Sequence, residues 1–436
     1  MPSYGGKYIR IQIYITGFCL LISGCTAQKQ KTGTENKQEH ERIITVFAGY
    51  SSNSDDEMLA QLVKEKLDIT LQYEYRPIGS ASASMIQTKL ATGEMADLCV
   101  YNSGALLSDL KPEDYFVDLS NMEFELELED NFRKAVTVND KIYGVPYGYV
   151  NSFGGILYNK TVYEKYELEI PHTWDEFIAN CEILKENGEI AVIGSFADKW
   201  SSQYPFLADY YNVQTQVPDF AEKYTHGLLS PFEKNNFLES WEKCQDLVPY
   251  YQENAVAVSD SEACDLLANG RGAHYISASK RPLSYIYSDN KDLLDEIGMF
   301  GIPGKDADDC GITIWPASGW YINKNTPNIE LVYEFLEYYM SKECMDLFFN
   351  KAPLFGLPAV QENFHDEQLL PVVLDMNSYI KNGHYCSALE YYSTIKPSSC
   401  EDLTTAVALG EMNAKEAADS YERDCERQAF LQNILW

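Results

Sequence analysis

The chain has 436 residues, of which 66 are acidic and 34 basic, giving a formal charge of −32. That balance excludes nucleic acid as a partner, since phosphate binding relies on gathered Lys and Arg; the acids are spread along the chain, as on a solvated surface. The length exceeds what one hydrophobic core usually supports, so two lobes are expected.

At the N-terminus, Lys7 and Arg10 precede an apolar run from Ile11 to Ile22. The run falls short of the ~20 residues that span a bilayer and has the length of a signal-peptide core. It ends Ile22-Ser23-Gly24-Cys25, which resembles the lipobox of bacterial lipoproteins. That resemblance implies cleavage after Gly24 and acyl chains on Cys25, hence a protein tethered to the cell membrane rather than spanning it. Residues 26–42, TAQKQKTGTENKQEHER, hold no large apolar residue and cannot order themselves by burial. Residues 1–24 are therefore read as a signal peptide and 25–42 as a flexible linker.

The folded body begins at the strand-like run Ile43 to Phe47. Met58, Leu59, Leu62 and Val63 follow at helical spacing, Ile69 to Tyr75 alternates as a strand, Met85, Ile86 and Leu90 share a helix face, and Asp97 to Tyr101 forms a short buried strand. Strands separated by helices imply parallel pairing in an α/β lobe. Thr173 and Glu176 have capping-box spacing before a helix carrying Phe177, Cys181 and Leu184. Residues 200–297 are helical in tendency, with Phe237, Trp241 and Cys244 as one example. GAHYIS at 272–277 reads as a strand, Ile329, Val332, Leu336 and Tyr339 as a helix face, and Asn413 as an N-cap with Glu416 three residues on.

Eleven cysteines occur, nine of them outside the signal region and scattered without a CxxC pair. This argues against a disulfide framework and lacks zinc-ligand spacing; buried thiols acting as small hydrophobes fit instead. Aromatic content is 13%, with 32 Tyr and 6 Trp, and such rings stack on the C–H faces of carbohydrates. No GxSxG, HExxH, GxGxxG or GxxxxGK[ST] motif is present, and the six His are widely separated. Asp306, Asp308 and Gly311 are a turn rather than an EF-hand, because Cys310 and Ala317 stand at the fifth and twelfth places. No metal or cofactor is expected.

Residues 142–177, IYGVPYGYVNSFGGILYNKTVYEKYELEIPHTWDEF, join a Gly/Pro/aromatic loop, an apolar strand ending Tyr158-Asn159-Lys160, and a helix start at Thr173-Trp174-Asp175-Glu176-Phe177. Residues 297–324, IGMFGIPGKDADDCGITIWPASGWYINK, add a strand, a Pro-Gly turn and a returning glycine-bearing segment. Ser341-Lys342-Glu343 and the Ala-rich helix after Leu409-Gly410-Glu411 complete the order. Together these segments resemble the family 1 bacterial extracellular solute-binding proteins, the maltose-binding-protein-like sugar receptors of ABC importers. The sequence departs from that pattern at Ala273 to Arg281, where many relatives carry Gly-Trp; the stacking Trp of that place cannot be carried over, and Lys280 and Arg281 stand there as a polar loop end.

The resemblance implies an α/β fold of the two-lobed periplasmic-binding-protein type II kind, a clamshell with a hinge and an interlobe cleft. Lobe 1 would comprise 43–149 and 315–362, and lobe 2 would comprise 150–314 and 363–436. It further implies a monomeric, lipid-anchored, extracytoplasmic receptor that captures a carbohydrate, an oligosaccharide in the first instance, and delivers it to permease subunits without catalysis. A same-fold receptor for a peptide, polyamine or other small solute is the alternative, and a secreted glycoside-acting enzyme a weaker one. Ligands in open α/β sheets bind at the carboxyl ends of strands, and closure of two lobes would bury them. Strand ends and crossovers therefore nominate Tyr50, Ser51, Asn102, Tyr149, Asn151, Trp200, Trp315 and Trp320 as ligand-binding residues, with Trp320 foremost. Trp174, on its capped helix start, and Trp436 are assigned no part in the site.

Overall fold

The computed structural model describes residues 41–49, 54–76, 80–307, 310–351, 353–361 and 369–436. The signal peptide, Cys25 and most of the linker, as well as Tyr50 and Ser51, lie outside the described residues.

Two sheets organise the body. In the first, Thr70–Tyr75 pairs in parallel with Ile43–Ala48, which pairs in parallel with Leu98–Tyr101. Gly319–Ile322 then runs antiparallel to Leu98–Tyr101 on one side and to Gly144–Pro146 on the other. The parallel trio follows from the sequence: each strand is separated from the next by a helix, Ser54–Leu67 and Ser80–Thr92, and parallel neighbours require such crossovers. Ile44, Val46, Phe47, Val100 and Tyr101 lie buried under these helices, joined by Val332, Leu336 and Tyr339 of the later helix Ile329–Tyr339.

The second sheet is built round the ten-residue strand Val150–Asn159. Ile312–Trp315 and Ile297–Phe300 run antiparallel to it, as do His274–Ser277 and Leu357–Pro358, and Tyr385–Ser387 pairs in parallel with Ile312–Trp315. Three further apolar clusters cover this sheet, drawn from residues 150–314 and 354–429. Capping boxes set the starts of four of its helices, at Thr173, Ser230, Ser259 and Asn413, in each case with a Glu three residues on. The nine described cysteines are all buried and unpaired.

The chain passes between the two lobes repeatedly, and three of these passages lie against one another. The first passage is residues 147–149. The second is 316–318, because Trp315 still pairs with Ser152 in the second sheet while Gly319 pairs with Tyr101 in the first. Trp315 thus belongs to lobe 2, not to lobe 1 as the sequence suggested. In the third, Leu354 and Leu357 pack in the lobe 2 core, whereas Ala359 and Val360 pack in the lobe 1 core; the segment expected to lie in lobe 1 as far as 362 is divided between the two.

Candidate ligand site between the lobes

The three passages are tied together by one side chain. Asn151 is 1% exposed. Its Oδ1 accepts from the Ala317 N–H at 2.9 Å, and its Nδ2 donates to the Pro358 carbonyl at 3.3 Å and to Glu129 Oε2 at 3.5 Å. The Tyr147 N–H donates to the Ser318 carbonyl at 2.7 Å, and the Ala359 N–H to that of Tyr149 at 2.7 Å. Gly148 and Tyr149 take left-handed φ angles of 91° and 60°. For Tyr149 this is a costly conformation, held by its hydroxyl donating to the Tyr339 carbonyl and by ring stacking on Tyr339 at 4.6 Å.

This geometry removes three expected ligand residues from the cleft surface. Tyr149 is 0% exposed and sits in the lobe 1 core. Asn151 spends its amide on backbone of the other two passages and on Glu129. Trp320 is likewise 0% exposed, wedged between Tyr147, Phe335 and Tyr339 with ring centroids 5.0, 5.5 and 6.0 Å away. The sequence placed Trp320 correctly on the returning segment, but strand alternation turns its ring inward, against the helix Ile329–Tyr339. Trp315 is half-buried, its indole N–H donating to Glu390 Oε1 at 2.6 Å; a Cβ on Gly154 would come within 2.6 Å of its ring, so only glycine permits this approach. Trp200 is exposed, on the turn Lys199–Gln203, edge-on to Tyr204. Asn102 is half-buried at the end of Leu98–Tyr101, and its carbonyl accepts from the Tyr321 hydroxyl at 3.1 Å.

Among the described residues, the two lobes also meet at these places. On one, Lys280 of lobe 2 lies 4.0 Å from Asp55 in the first turn of a lobe 1 helix, beside Gly148. Burial pushes the Lys280 ammonium below its ordinary value, and Asp55 opposes the shift. Tyr147 donates to Asp56 nearby. On the other, Gly104, with φ 73°, packs against the backbone of Tyr391; a Cβ there would lie 2.7 Å from the Tyr391 Cα. The Tyr391 hydroxyl donates to the Pro316 carbonyl at 2.8 Å, fastening this contact to the second passage. Beside it, burial opposes ionisation of Glu390, but Lys396 at 2.6 Å and the Trp315 N–H hold its carboxyl below the usual range.

The Gly104–Tyr391 contact borders a cavity of about 530 Å³ between the lobes. From lobe 1 it is faced by Ser108, Asp109, Asn131, Lys134 and Thr137, and from lobe 2 by Thr225, Ser387, Tyr391, Tyr392 and Thr394. Tyr392 is 53% exposed. Hydroxyls, an amide, one ammonium, one carboxylate and two phenol rings make a lining that donates and accepts hydrogen bonds and offers flat apolar faces. Of these residues the sequence reading named none. Their signal was faint: Tyr391 and Tyr392 stand in an aromatic pair in a segment without strong periodicity.

Two sheet-based lobes, three laced passages and a polar, tyrosine-bearing space between them define a two-lobed solute-binding clamshell. The pattern described as "Bacterial extracellular solute-binding protein" matches residues 48–344, and the chain belongs to that family. It is 22% identical over 420 residues to the "Multiple sugar-binding protein" of Streptococcus mutans, covering 92% of this chain and 93% of that one. It is 23% identical over 207 residues to the "Melibiose/raffinose/stachyose-binding protein MelE" of Bacillus subtilis, covering 46% and 45%. Among solved structures, RafE in complex with raffinose superposes with a TM-score of 0.70 at 19% identity, covering 88% of this chain and 98% of that one. A chitin oligosaccharide binding protein superposes at 0.71 and 15%, covering 88% and 98%.

Proposed function

We propose that this protein captures a carbohydrate, an oligosaccharide in the first instance, between its lobes and presents the closed form to the permease of an ABC importer, anchored outside the cytoplasm by lipid on Cys25. The observation that carries this reading is the interlobe cavity of about 530 Å³ with its hydroxyl, amide and tyrosine lining. Its volume lies in the range of small-molecule sites, and its chemistry answers a sugar's two faces: hydroxyl edges to Ser108, Asn131, Ser387 and Thr394, C–H faces to Tyr391 and Tyr392. The sugar-binding relatives support the same class of ligand. Closure needs only contacts made with both lobes at once, which shift the population of open and closed forms. Capture, not bond cleavage, is the chemistry.

The test is a calorimetric titration of the purified chain with melibiose, raffinose, stachyose and chito-oligosaccharides. Saturable binding of at least one, weakened at least tenfold in Tyr392→Ala with unchanged melting, is expected. Absence of binding across the panel, or turnover of a sugar by the protein, would sink the reading.

A further inference from the structure

Two cations open the lobe 2 helix Arg281–Asn290, with Lys280 at its N-cap and Arg281 as its first residue. A helix N-terminus is the positive end of its dipole and favours anions, so helix stability accounts for neither. Arg281 is answered within its own lobe: its Nε donates to Asp260 Oδ2 at 2.6 Å and its Nη2 to Ser261 Oγ at 3.2 Å. Lys280 is answered from the other lobe. Among the described residues its ion-pair partner is Asp55, 4.0 Å away, in the first turn of Ser54–Leu67, where the dipole of that helix favours a carboxylate. The neighbouring Asp56 is held by the Tyr147 hydroxyl.

The path of the Lys280 side chain runs beside two of the passages. A Cβ on Gly148 would lie 3.8 Å from its Nζ, and a Cβ on Gly356 would lie 3.8 Å from its Cβ. Its side chain is 33% exposed, and burial disfavours its charge while Asp55 opposes that effect. The two ions belong to different lobes, so rotation about the passages alters their separation. At 4.0 Å they stand about 1 Å beyond a charge-assisted hydrogen bond. A small further approach of the lobes makes that bond, and separation of the lobes loses the pair. We propose that Lys280 is a positioning residue for closure, its ammonium latching lobe 2 to Asp55 of lobe 1, so that ionic strength as well as ligand sets the share of closed molecules. This rests on the reading that the lobes open and close round a solute, but it requires no particular ligand.

Single-molecule FRET on the ligand-free full chain counts open and closed molecules. The dyes are attached through azidophenylalanine placed at Glu94 in lobe 1 and Glu186 in lobe 2, both exposed. At 10 mM NaCl, Lys280→Met and Asp55→Asn should each lower the closed-to-open ratio about two- to fivefold, the range of a partly exposed pair. These variants change the net charge in opposite directions, so a general charge effect would move them apart, whereas loss of the pair moves them alike. The double variant should cost no more than either single one. The exchange Asp55→Lys with Lys280→Asp should restore at least half of the native ratio. At 500 mM NaCl, where screening acts within about 4 Å, the native and single-variant ratios should converge. Lys280→Gln replaces Lys280→Met if circular dichroism shows that variant unfolded. Opposite shifts in the two single variants, native-like ratios in both, or a double variant as costly as the product of the singles would each overturn the latch. A native signal that raffinose or stachyose moves, with variants that keep the native ratio, would sink the latch and leave closure standing. A signal that neither saccharide, salt nor substitution moves would sink both.

Discussion

Replacing Asn151 by Asp changes one atom and inverts the chemistry at the point where three passages meet. The acceptor for the Ala317 N–H survives, but the donor to the Pro358 carbonyl at 3.3 Å becomes an oxygen, and so does the donor to Glu129 Oε2 at 3.5 Å. An unpaired buried carbonyl costs about 1–3 kcal/mol. Two carboxylates about 3.5 Å apart repel by about 5 kcal/mol at an effective dielectric of about 20; the new Asp escapes part of this by taking up a proton. A net loss of about 3–5 kcal/mol at pH 7 is expected, partly regained as the pH falls through 5. The new carboxyl, with a raised folded pKa, binds its proton more readily in the folded state than in the unfolded one. Urea unfolding of the native protein, Asn151→Asp and Asn151→Ala at pH 7.5 and 5.0 measures this. Asn151→Ala should be destabilised at both pH values without the pH-dependent difference. If Asn151→Asp unfolds within about 0.5 kcal/mol of the native protein, or shows no pH difference relative to Asn151→Ala, the side chain does not tie the passages together as described.

Trp320→Ala should lower stability by about 3–5 kcal/mol, as large-to-small substitutions in a packed core do. Saccharide affinity should persist wherever the variant is folded; a variant that keeps its melting temperature and loses binding would put Trp320 back in the cleft. His274 is 0% exposed between the Tyr163 hydroxyl and the Ala191 carbonyl, each at 2.7 Å, and burial pushes its pKa down to about 4 from an ordinary 6.5. The folded imidazole stays neutral while the unfolded one charges, so stability should fall by up to about 3 kcal/mol as the pH drops from 6.5 towards 4. His274→Gln should lose that component, visible as a smaller difference between urea midpoints at pH 7 and 4.5. The nine described thiols are buried, with burial raising Cys99 and Cys400 to about 12. They should resist Ellman's reagent at pH 8 in the native protein and react only in denaturant; rapid reaction of any one of them would show an opening at that place.

Much of the framework was legible because it is local. Ile43–Ala48 and Leu98–Tyr101 announced themselves by apolar runs of strand length, Thr70–Tyr75 by alternation, and the helices from Trp174 and Ala414 by capping residues three positions apart. The site was far less legible. Strand ends and crossovers were the right neighbourhood, yet a crossover residue faces either the cleft or the hinge core, and composition does not say which. Tyr149 and Trp320 look like ligand aromatics in sequence; the left-handed backbone at Tyr149 and the pairing of Trp320 with Val145 and Val100 direct both rings into the core. Tyr392, by contrast, sits in an irregular segment, and only its proximity to Asn131 and Thr137 across the cavity gives it meaning.

The sequence by itself determined the family, the alternation of strands and helices and the starts of capped helices. Each of these depends on patterns within some twenty residues, or on segments recurring in a set order. Tertiary structure alone decided where the chain changes lobes, one residue beyond Trp315 rather than at it, and that Asn151 joins three passages lying 151, 317 and 358 residues along the chain. It also decided which aromatics face the space between the lobes. Those outcomes rest on contacts between groups far apart in sequence, and an amide or an indole acquires its role only from what folding brings against it.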